Sequence, residues 1–222
     1  ADTSPGTQSA ALLRELAPAA RVEVVSNVHE VAGCRQDFGQ RRDLVFVGGF
    51  RHPPNVDAAL WLAGEIWPHI RARLPEVELH LVGGDVTGEI QALSQVPGIH
   101  VRGHVPDIAA LMDGCRLAVA PLRYGAGVKG KVNLSMAHGQ PVVATACAVE
   151  GMHLAAGHDV LVADDAEGFA EAVVAAYTDP TLWARLSAAG LENVERHFSF
   201  SAARSALERL LDALLPGLPP RR

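Results

Sequence analysis

The sequence has only two lysines, and both stand in one short segment. Lys129 and Lys131 are two positions apart, and the other basic residues of the 222-residue chain are all arginines. A net charge of −6 argues against nucleic acid or an anionic membrane surface as the main partner, because both require a broad basic surface. A local basic pocket is compatible with this charge.

Closely spaced cysteine pairs, an HExxH metal-binding motif and long apolar runs are also absent. The cysteines are widely spaced without a CxxC pair, which argues against a disulfide framework or a zinc site, and we expect reduced thiols in a cytoplasmic protein. His104, His138 and His153 show no HxxxH or HExxH spacing among themselves, so no metal is expected. No apolar run is long enough for a transmembrane segment, and the N-terminus lacks a signal pattern. Because the first residue is not Met, we expect a piece of a longer protein.

What the sequence does contain is a regular alternation of short apolar runs and helical segments. Several runs are apolar on both faces, as are parallel strands that helices cover on each side. This pattern predicts an α/β fold with a doubly wound parallel sheet, which binds ligands at the carboxyl ends of its strands. Seven strands are expected, at residues 22–26, 44–48, 77–83, 99–103, 117–122, 141–146 and 159–163.

Capping residues and prolines predict where several helices begin and end. Asn55 is expected to cap a helix with one apolar stripe, which Pro68 should kink or restart. Asp179, followed by proline, should open a helix that Gly190 closes. A last amphipathic helix is expected at residues 199–214.

The glycine-rich turn that holds the lysines is the main candidate for a binding site. Gly127 and Gly130 allow the backbone to approach a ligand closely. The helix expected at about 128–138 begins there, with unpaired N–H groups and a partial positive charge. Together with Lys129 and Lys131, this suits a phosphate or diphosphate, although solvated loop lysines are the alternative. The segment is not a GxxxxGK[ST] phosphate loop.

Four segments, in this order and spacing, resemble the C-terminal half of GT-B glycosyltransferases of the retaining group 1 (family 4) class. They are VFVGGFRHPPNVDAALWL (45–62), LHLVGG (79–84), IHVRGHVPDIAALMDGCRLAVAPLRYGAGVKGKV (99–132) and MAHGQPVVATACAVEGM (136–152). The resemblance implies a Rossmann-like half of a GT-B fold that binds a nucleotide-diphosphate sugar. Such enzymes transfer the sugar to a hydroxyl acceptor with retention, without a cofactor and generally without a metal.

The resemblance also implies an organisation for the chain. Residues 1–42 would be an arm left from the partner domain and its connector, 43–198 the nucleotide-sugar-binding domain, and 199–222 a C-terminal helix and tail. The partner would be an N-terminal acceptor-binding domain of the same protein. We expect the isolated piece to fold but to be inactive. A role in polysaccharide biosynthesis in the cytoplasm is implied, with peripheral attachment to the inner membrane as an option.

Roles for individual residues follow from the same resemblance. Gly48 and Gly49 would face the donor diphosphate, and His104 and Val105 would lie under the nucleobase. Glu150 is either a donor-facing carboxylate or a group near the start of a helix.

Lys129 and Lys131 are the catalytic candidates implied by the resemblance, with Gly127 and Gly130 shaping the turn around them. They would neutralise the leaving diphosphate. A compact, flexible ammonium can follow a phosphate whose charge grows during the reaction, whereas a guanidinium prefers a fixed planar partner.

The chain departs from the family at positions that bind the donor. Family members often carry two glutamates separated by seven residues, where this chain has Ala126 and Leu134. Leu134, which we expect to face the site, cannot accept hydrogen bonds from a ribose diol, at a cost of roughly 1–3 kcal/mol. The usual arginine and lysine after the first strand are missing, and Arg51 is the nearest substitute. A non-catalytic scaffold that has lost donor binding is therefore an alternative, and a nucleotide-sugar epimerase half is another.

Overall fold

The centre of the molecule is a parallel sheet of six strands. The computed structural model describes residues 5–20, 22 and 24–214. The strands are β1 (Arg42–Val47), β2 (Leu79–Val82), β3 (Ile99–Gly103), β4 (Cys115–Ala120), β5 (Val142–Ala144) and β6 (Leu161–Val162). They lie in the order β3-β2-β1-β4-β5-β6, and every neighbouring pair is parallel. The predicted doubly wound α/β fold is confirmed.

Helices connect the strands and cover both faces of the sheet. They are α1 (Pro5–Leu16), α2 (Pro53–Trp61), α3 (Trp67–Arg73), α4 (Gly88–Ala92), α5 (Ala109–Gly114), α6 (Gly130–Ala137), α7 (Ala146–Val149), α8 (Ala166–Thr178), α9 (Pro180–Phe198) and α10 (Phe200–Leu214). Short π-helical and 3₁₀ segments occupy Leu62–Ile66 and Leu93–Gln95. Within the described residues, no helix combines the length and apolarity that crossing a membrane requires.

The sheet is apolar on both faces because helices cover both. Leu44, Val45 and Phe46, consecutive residues of β1 whose side chains alternate between the two faces, have no exposed surface. Burying a side chain of this size contributes roughly 1.5–3 kcal/mol. Such strands form a rigid support for the loops at their carboxyl ends.

The chain reverses its direction of travel across the sheet between β1 and β4. From β1 it moves outward through β2 to β3 and then returns to β4, on the other side of β1. The loops after β1 and β4 therefore diverge and leave a crevice at the carboxyl edge, which we call the switch point. Doubly wound sheets bind ligands at such a crevice.

The long helical segment after β1 begins and breaks at prolines. Pro68 lies in the first turn of α3, directly after the π-helical segment, so the predicted restart is confirmed. The N-cap predicted at Asn55 is wrong, because the cap is His52 and two prolines occupy the first helical positions. Asn55 therefore lies within α2, and its side chain is available for other contacts.

The strand predicted at 22–26 is not formed at residues 22 and 24–26. Farther along this segment, the backbone N–H of His29 donates to Phe198 O at 2.7 Å, and that of Gly33 donates to Ala137 O at 3.0 Å. The segment pairs with the ends of α9 and α6 rather than with an edge of the sheet. Its apolar residues therefore line helices instead of extending a strand.

Gly190 does not close a helix, contrary to the prediction. Asp179 caps α9 as expected, but the helix continues to Phe198. A Cβ on Gly190 would lie 3.1 Å from Cγ of Met136. The glycine allows α9 to pack closely against α6, and α6 is the helix that carries Lys131.

Candidate functional site

Gly48 marks the point where the loop after β1 meets the start of α6. Its backbone N–H donates to Val82 O at 2.8 Å, which continues the sheet one residue past β1. A Cβ at Gly48 would lie 2.8 Å from Cγ of Asn55 and 2.9 Å from Nζ of Lys131. Only a residue without a side chain leaves room for both groups.

Lys131 extends from the first turn of α6 across the switch point. Its Nζ donates to Oδ1 of Asn55 on α2 and lies 4.7 Å from the centroid of the Phe46 ring on β1. Burial, and secondly the charge of Lys129, lowers the pKa of Lys131 from 10.5 to about 7. Near neutral pH the amine therefore exists in both protonation states.

Lys129 has a different environment from Lys131. It is the N-cap residue of α6, and its amine turns back to donate to Gly125 O at 3.0 Å and Gly127 O at 2.6 Å. Gly125 and Gly127 have φ values of 129° and 80°, which the glycine-rich sequence permits. Lys129 thus holds the turn closed, and Lys131 reaches the crevice.

A small cavity lies directly beneath Lys131. Its volume is about 10 Å³, room for roughly one water molecule, and its lining includes Lys131, Ser135 and Val47. Gly130, at the start of α6, is approached by the segment that precedes β1: a Cβ at Gly130 would lie 3.8 Å from Cε1 of His29.

The remaining predicted site residues follow the carboxyl ends of β1, β3 and β5 and differ in exposure. Gly49, Arg51, His104 and Glu150 are exposed, and Val105 is half-buried. Glu150 follows the C-terminus of α7, so the alternative that placed it near the start of a helix is wrong. These residues stand after different strands, at the carboxyl edge of the sheet.

Leu134 packs in part against the hydrophobic core. We expected Leu134 to face the site rather than the core, but it is half-buried and contacts the core with part of its side chain. Ala126, the other position at which the family often has a glutamate, is exposed in the turn before α6. Neither position offers a carboxylate to a donor.

Asp43, Glu78 and His80 have potential metal-ligand atoms within 4.8 Å of one another. They lie at or near the starts of β1 and β2, at the opposite end of the sheet from Lys131. Nε of Arg102 donates to Nδ1 of His80 at 3.3 Å. In the neutral imidazole the proton then sits on Nε2, which is therefore not free to bind a metal. Burial, and secondly Arg102, lowers the pKa of His80 and favours this neutral form.

Comparisons of the whole chain agree with the fold that carries the site. A protein of Klebsiella pneumoniae, described as an uncharacterized 44.6 kDa protein in the cps region, is 24% identical over 140 residues, which are 60% of this chain and 36% of that protein. TarM of S. aureus has a TM-score of 0.72 at 15% identity, covering 94% of this chain and 42% of its own. Sucrose-phosphate synthase from Thermosynechococcus elongatus has a TM-score of 0.68 at 21% identity, covering 96% of this chain and 57% of its own.

The chain thus spans between about a third and three fifths of the length of these relatives. The family model described as glycosyl transferases group 1 matches residues 41–179, which contain β1 to β6 and both lysines. With this match over more than half of its length, the chain belongs to the glycosyl transferases group 1 family.

Proposed function

We propose that the chain is the donor-binding domain of a glycosyltransferase of the hexosyltransferase type. It would bind a nucleotide-diphosphate sugar at the switch point and, with an N-terminal acceptor-binding domain, transfer the sugar to a hydroxyl group with retention. The observation that carries the proposal is the Lys131 amine at the crevice, beside Gly48 and the start of α6. The bound UDP described for structures of TarM and of the pneumococcal O-GlcNAc transferase GtfA supports it.

The chemistry required of this domain is stabilisation of a leaving diphosphate. Negative charge grows on the diphosphate as its bond to the sugar breaks, and a fixed positive group stabilises that charge. Lys131 supplies the ammonium, and the first N–H groups of α6 supply a partial positive charge. Lys129 adds charge at short range and keeps the turn in place through Gly125 and Gly127.

The lowered pKa of Lys131 fits this role. An approaching diphosphate favours the protonated amine, so that binding is coupled to proton uptake near neutral pH. No metal and no cofactor takes part in the proposal, and the nucleotide-diphosphate sugar is a substrate. Other parts of the donor would be contacted by residues that are exposed or half-buried at the carboxyl edge of the sheet: Gly49, Arg51, His104, Val105 and Glu150.

The acceptor and its domain belong to the full-length protein. We assign the reaction to polysaccharide biosynthesis, which the relative in the cps region supports. We place it in the cytoplasm, with peripheral attachment to the inner membrane as an option. The described chain alone would bind a donor without transferring its sugar.

Calorimetry with UDP-, GDP-, ADP- and dTDP-sugars tests donor binding by this chain. Saturable binding of one donor, weakened at least tenfold by Lys131→Met, is the expected result. In the full-length protein, Lys129→Ala together with Lys131→Ala should abolish turnover. Transfer at the wild-type rate by that double variant would exclude the role of the lysines.

A non-catalytic GT-B-like scaffold is the second candidate. It is favoured by the absence of carboxylates at Ala126 and Leu134 and by the packing of Leu134 on the core. No detectable binding of any sugar nucleotide in the calorimetry would support it. A nucleotide-sugar epimerase half would also bind a donor, and it is distinguished by the product of the full-length protein: an epimerised nucleotide sugar instead of a glycoside.

A further inference from the structure

The amide of Asn55 connects the two sides of the switch point. Its Nδ2 donates to Gly49 O at 2.8 Å, and its Oδ1 accepts from Nζ of Lys131. A backbone carbonyl can only accept, so the amide nitrogen must face Gly49, and the ammonium form of Lys131 can only donate. The two contacts therefore allow one orientation of the amide, with its oxygen facing Lys131.

Both side chains are enclosed by β1 and the loop that follows it. Asn55 is 7% exposed, and the ring of Phe46 lies 4.7 Å from Nζ of Lys131. The missing side chain of Gly48 leaves the space that Asn55 and Lys131 occupy. The Lys131 amine is thus held by packing as well as by its hydrogen bond.

The partner that orients Lys131 carries no charge. The charged group that acts on Lys131 most strongly is Lys129, which is also positive. The carboxylate that α2 contributes nearby, Asp57, is bonded to Arg123, with Nε of the arginine 2.9 Å from Oδ2. Among the described residues, no carboxylate contributes to the shift in the pKa of Lys131.

We propose that Asn55 is a positioning residue that aims the Lys131 amine at the donor diphosphate through a neutral contact. The proposal rests on the proposed function and adds to it a residue with a defined task. A carboxylate at this place would also orient the amine, but it would neutralise the positive charge and repel the diphosphate. An amide oxygen fixes the direction and leaves the charge for the ligand.

The two lysines of the chain make the proposal directly measurable. Lysine labelled with ¹³C at Cε gives two NMR signals, and Lys129→Arg assigns them by removing one. Titrating the protein without ligand then follows the Lys131 amine. The Lys129 signal reports any general disturbance, because its amine bonds to Gly125 and Gly127.

Asn55→Asp is the decisive variant. A carboxylate at hydrogen-bonding distance favours the ammonium, so the titration midpoint of Lys131 should rise by roughly 1–3 pH units. With inorganic pyrophosphate as the probe, the affinity at one fixed pH should fall at least tenfold, although more of Lys131 is then charged. Asn55→Leu, which removes the acceptor, should lower the midpoint and also weaken binding.

An unchanged midpoint in Asn55→Asp would overturn the contact, and unchanged pyrophosphate affinity would overturn the importance of a neutral partner. If Asn55→Asp does not fold, as judged by circular dichroism, Asn55→Leu decides: an unchanged midpoint would overturn the contact, and an unchanged pyrophosphate affinity would overturn the positioning role. Failure of the proposed function has a different signature. In that case the wild-type chain binds neither pyrophosphate nor any nucleotide sugar, while the midpoint of Lys131 still reports on Asn55.

Discussion

The position of a Cβ on Gly83 would lie 2.0 Å from the carbonyl oxygen of Gly48. The loops that follow β1 and β2 touch at this point, backbone to backbone. The backbone N–H of Gly83 donates to Gly103 O at 2.9 Å, so Gly83 is held from the other side as well. A side chain here must displace Gly48, and Gly48 is packed against Asn55 and Lys131.

Gly83→Ala should therefore lower the free energy of unfolding by roughly 2–4 kcal/mol. The added methyl group meets a carbonyl oxygen of the backbone, which cannot move aside as a flexible side chain could. Urea unfolding followed by circular dichroism measures the change. Gly84→Ala is the matched control, because a Cβ there meets nothing within 4 Å, and its effect should be less than half as large. Equal stability of the two variants would contradict the proposed contact.

The sheet and the lysine turn could be predicted from the sequence because their signals are local. Apolar runs mark β1 to β6, and the glycines around Lys129 mark the turn. The prediction of a strand at 22–26 was wrong because an apolar run is also compatible with a segment that lies along helices. The prediction that Gly190 ends a helix was wrong because glycine also occurs within helices where another side chain, here Met136, packs closely against it.

The difference between the two lysines could not be predicted from the sequence. Both stand in the same turn, and they differ in the direction of their side chains. The carbonyl groups of Gly125 and Gly127 bind the amine of Lys129, whereas the amide of Asn55 binds that of Lys131. The contact of Asn55 was missed because asparagine is a favoured N-cap residue. The two prolines before it were the available signal that the helix begins earlier.

Lys131→Met should stabilise the protein at neutral pH while it abolishes diphosphate binding. Burial disfavours the ammonium form, and the lowering of its pKa from 10.5 to about 7 makes this cost larger than the roughly 1–3 kcal/mol of leaving Oδ1 of Asn55 without its donor. Methionine fills similar space without the burial cost, so a net gain of roughly 1–3 kcal/mol is expected. Chemical unfolding and pyrophosphate calorimetry measure the two effects. The matched variant Lys129→Met loses hydrogen bonds to Gly125 and Gly127 and should not be stabilised. A less stable Lys131→Met protein would contradict the assigned cost of burial.

The stability of the wild-type chain should rise with pH from about 7 because of Lys131. The folded-state pKa, about 7, lies below the ordinary value of 10.5, so in this range the unfolded chain holds a proton that the folded chain has released. Stability then increases with pH, by at most ~1.4 kcal/mol per pH unit. Burial raises the pKa of Cys115 from 9.0 to about 12, which opposes the trend above pH 9. The test is therefore the difference in unfolding free energy between wild type and Lys131→Met, which should shrink between pH 7 and 9.

Asn133 offers a second way to stabilise the domain, away from the crevice contacts of Lys131. Its side chain on α6 has no exposed surface, and within the described part of the chain neither Oδ1 nor Nδ2 has a hydrogen-bond partner. A buried polar group without partners costs roughly 1–3 kcal/mol. Asn133→Leu should raise the free energy of unfolding by a similar amount.

The control for this last variant is Asn193→Leu on α9. Asn193 is also buried, but its Nδ2 donates to Met152 O at 3.1 Å, so the substitution leaves that carbonyl without its partner and should destabilise the protein by roughly 1–3 kcal/mol. Urea unfolding of both variants gives the comparison. Opposite signs are expected because one amide is satisfied and the other is not. Destabilisation by both would show that Asn133 has a partner, such as a bound water molecule, whose loss outweighs the gain from an apolar side chain.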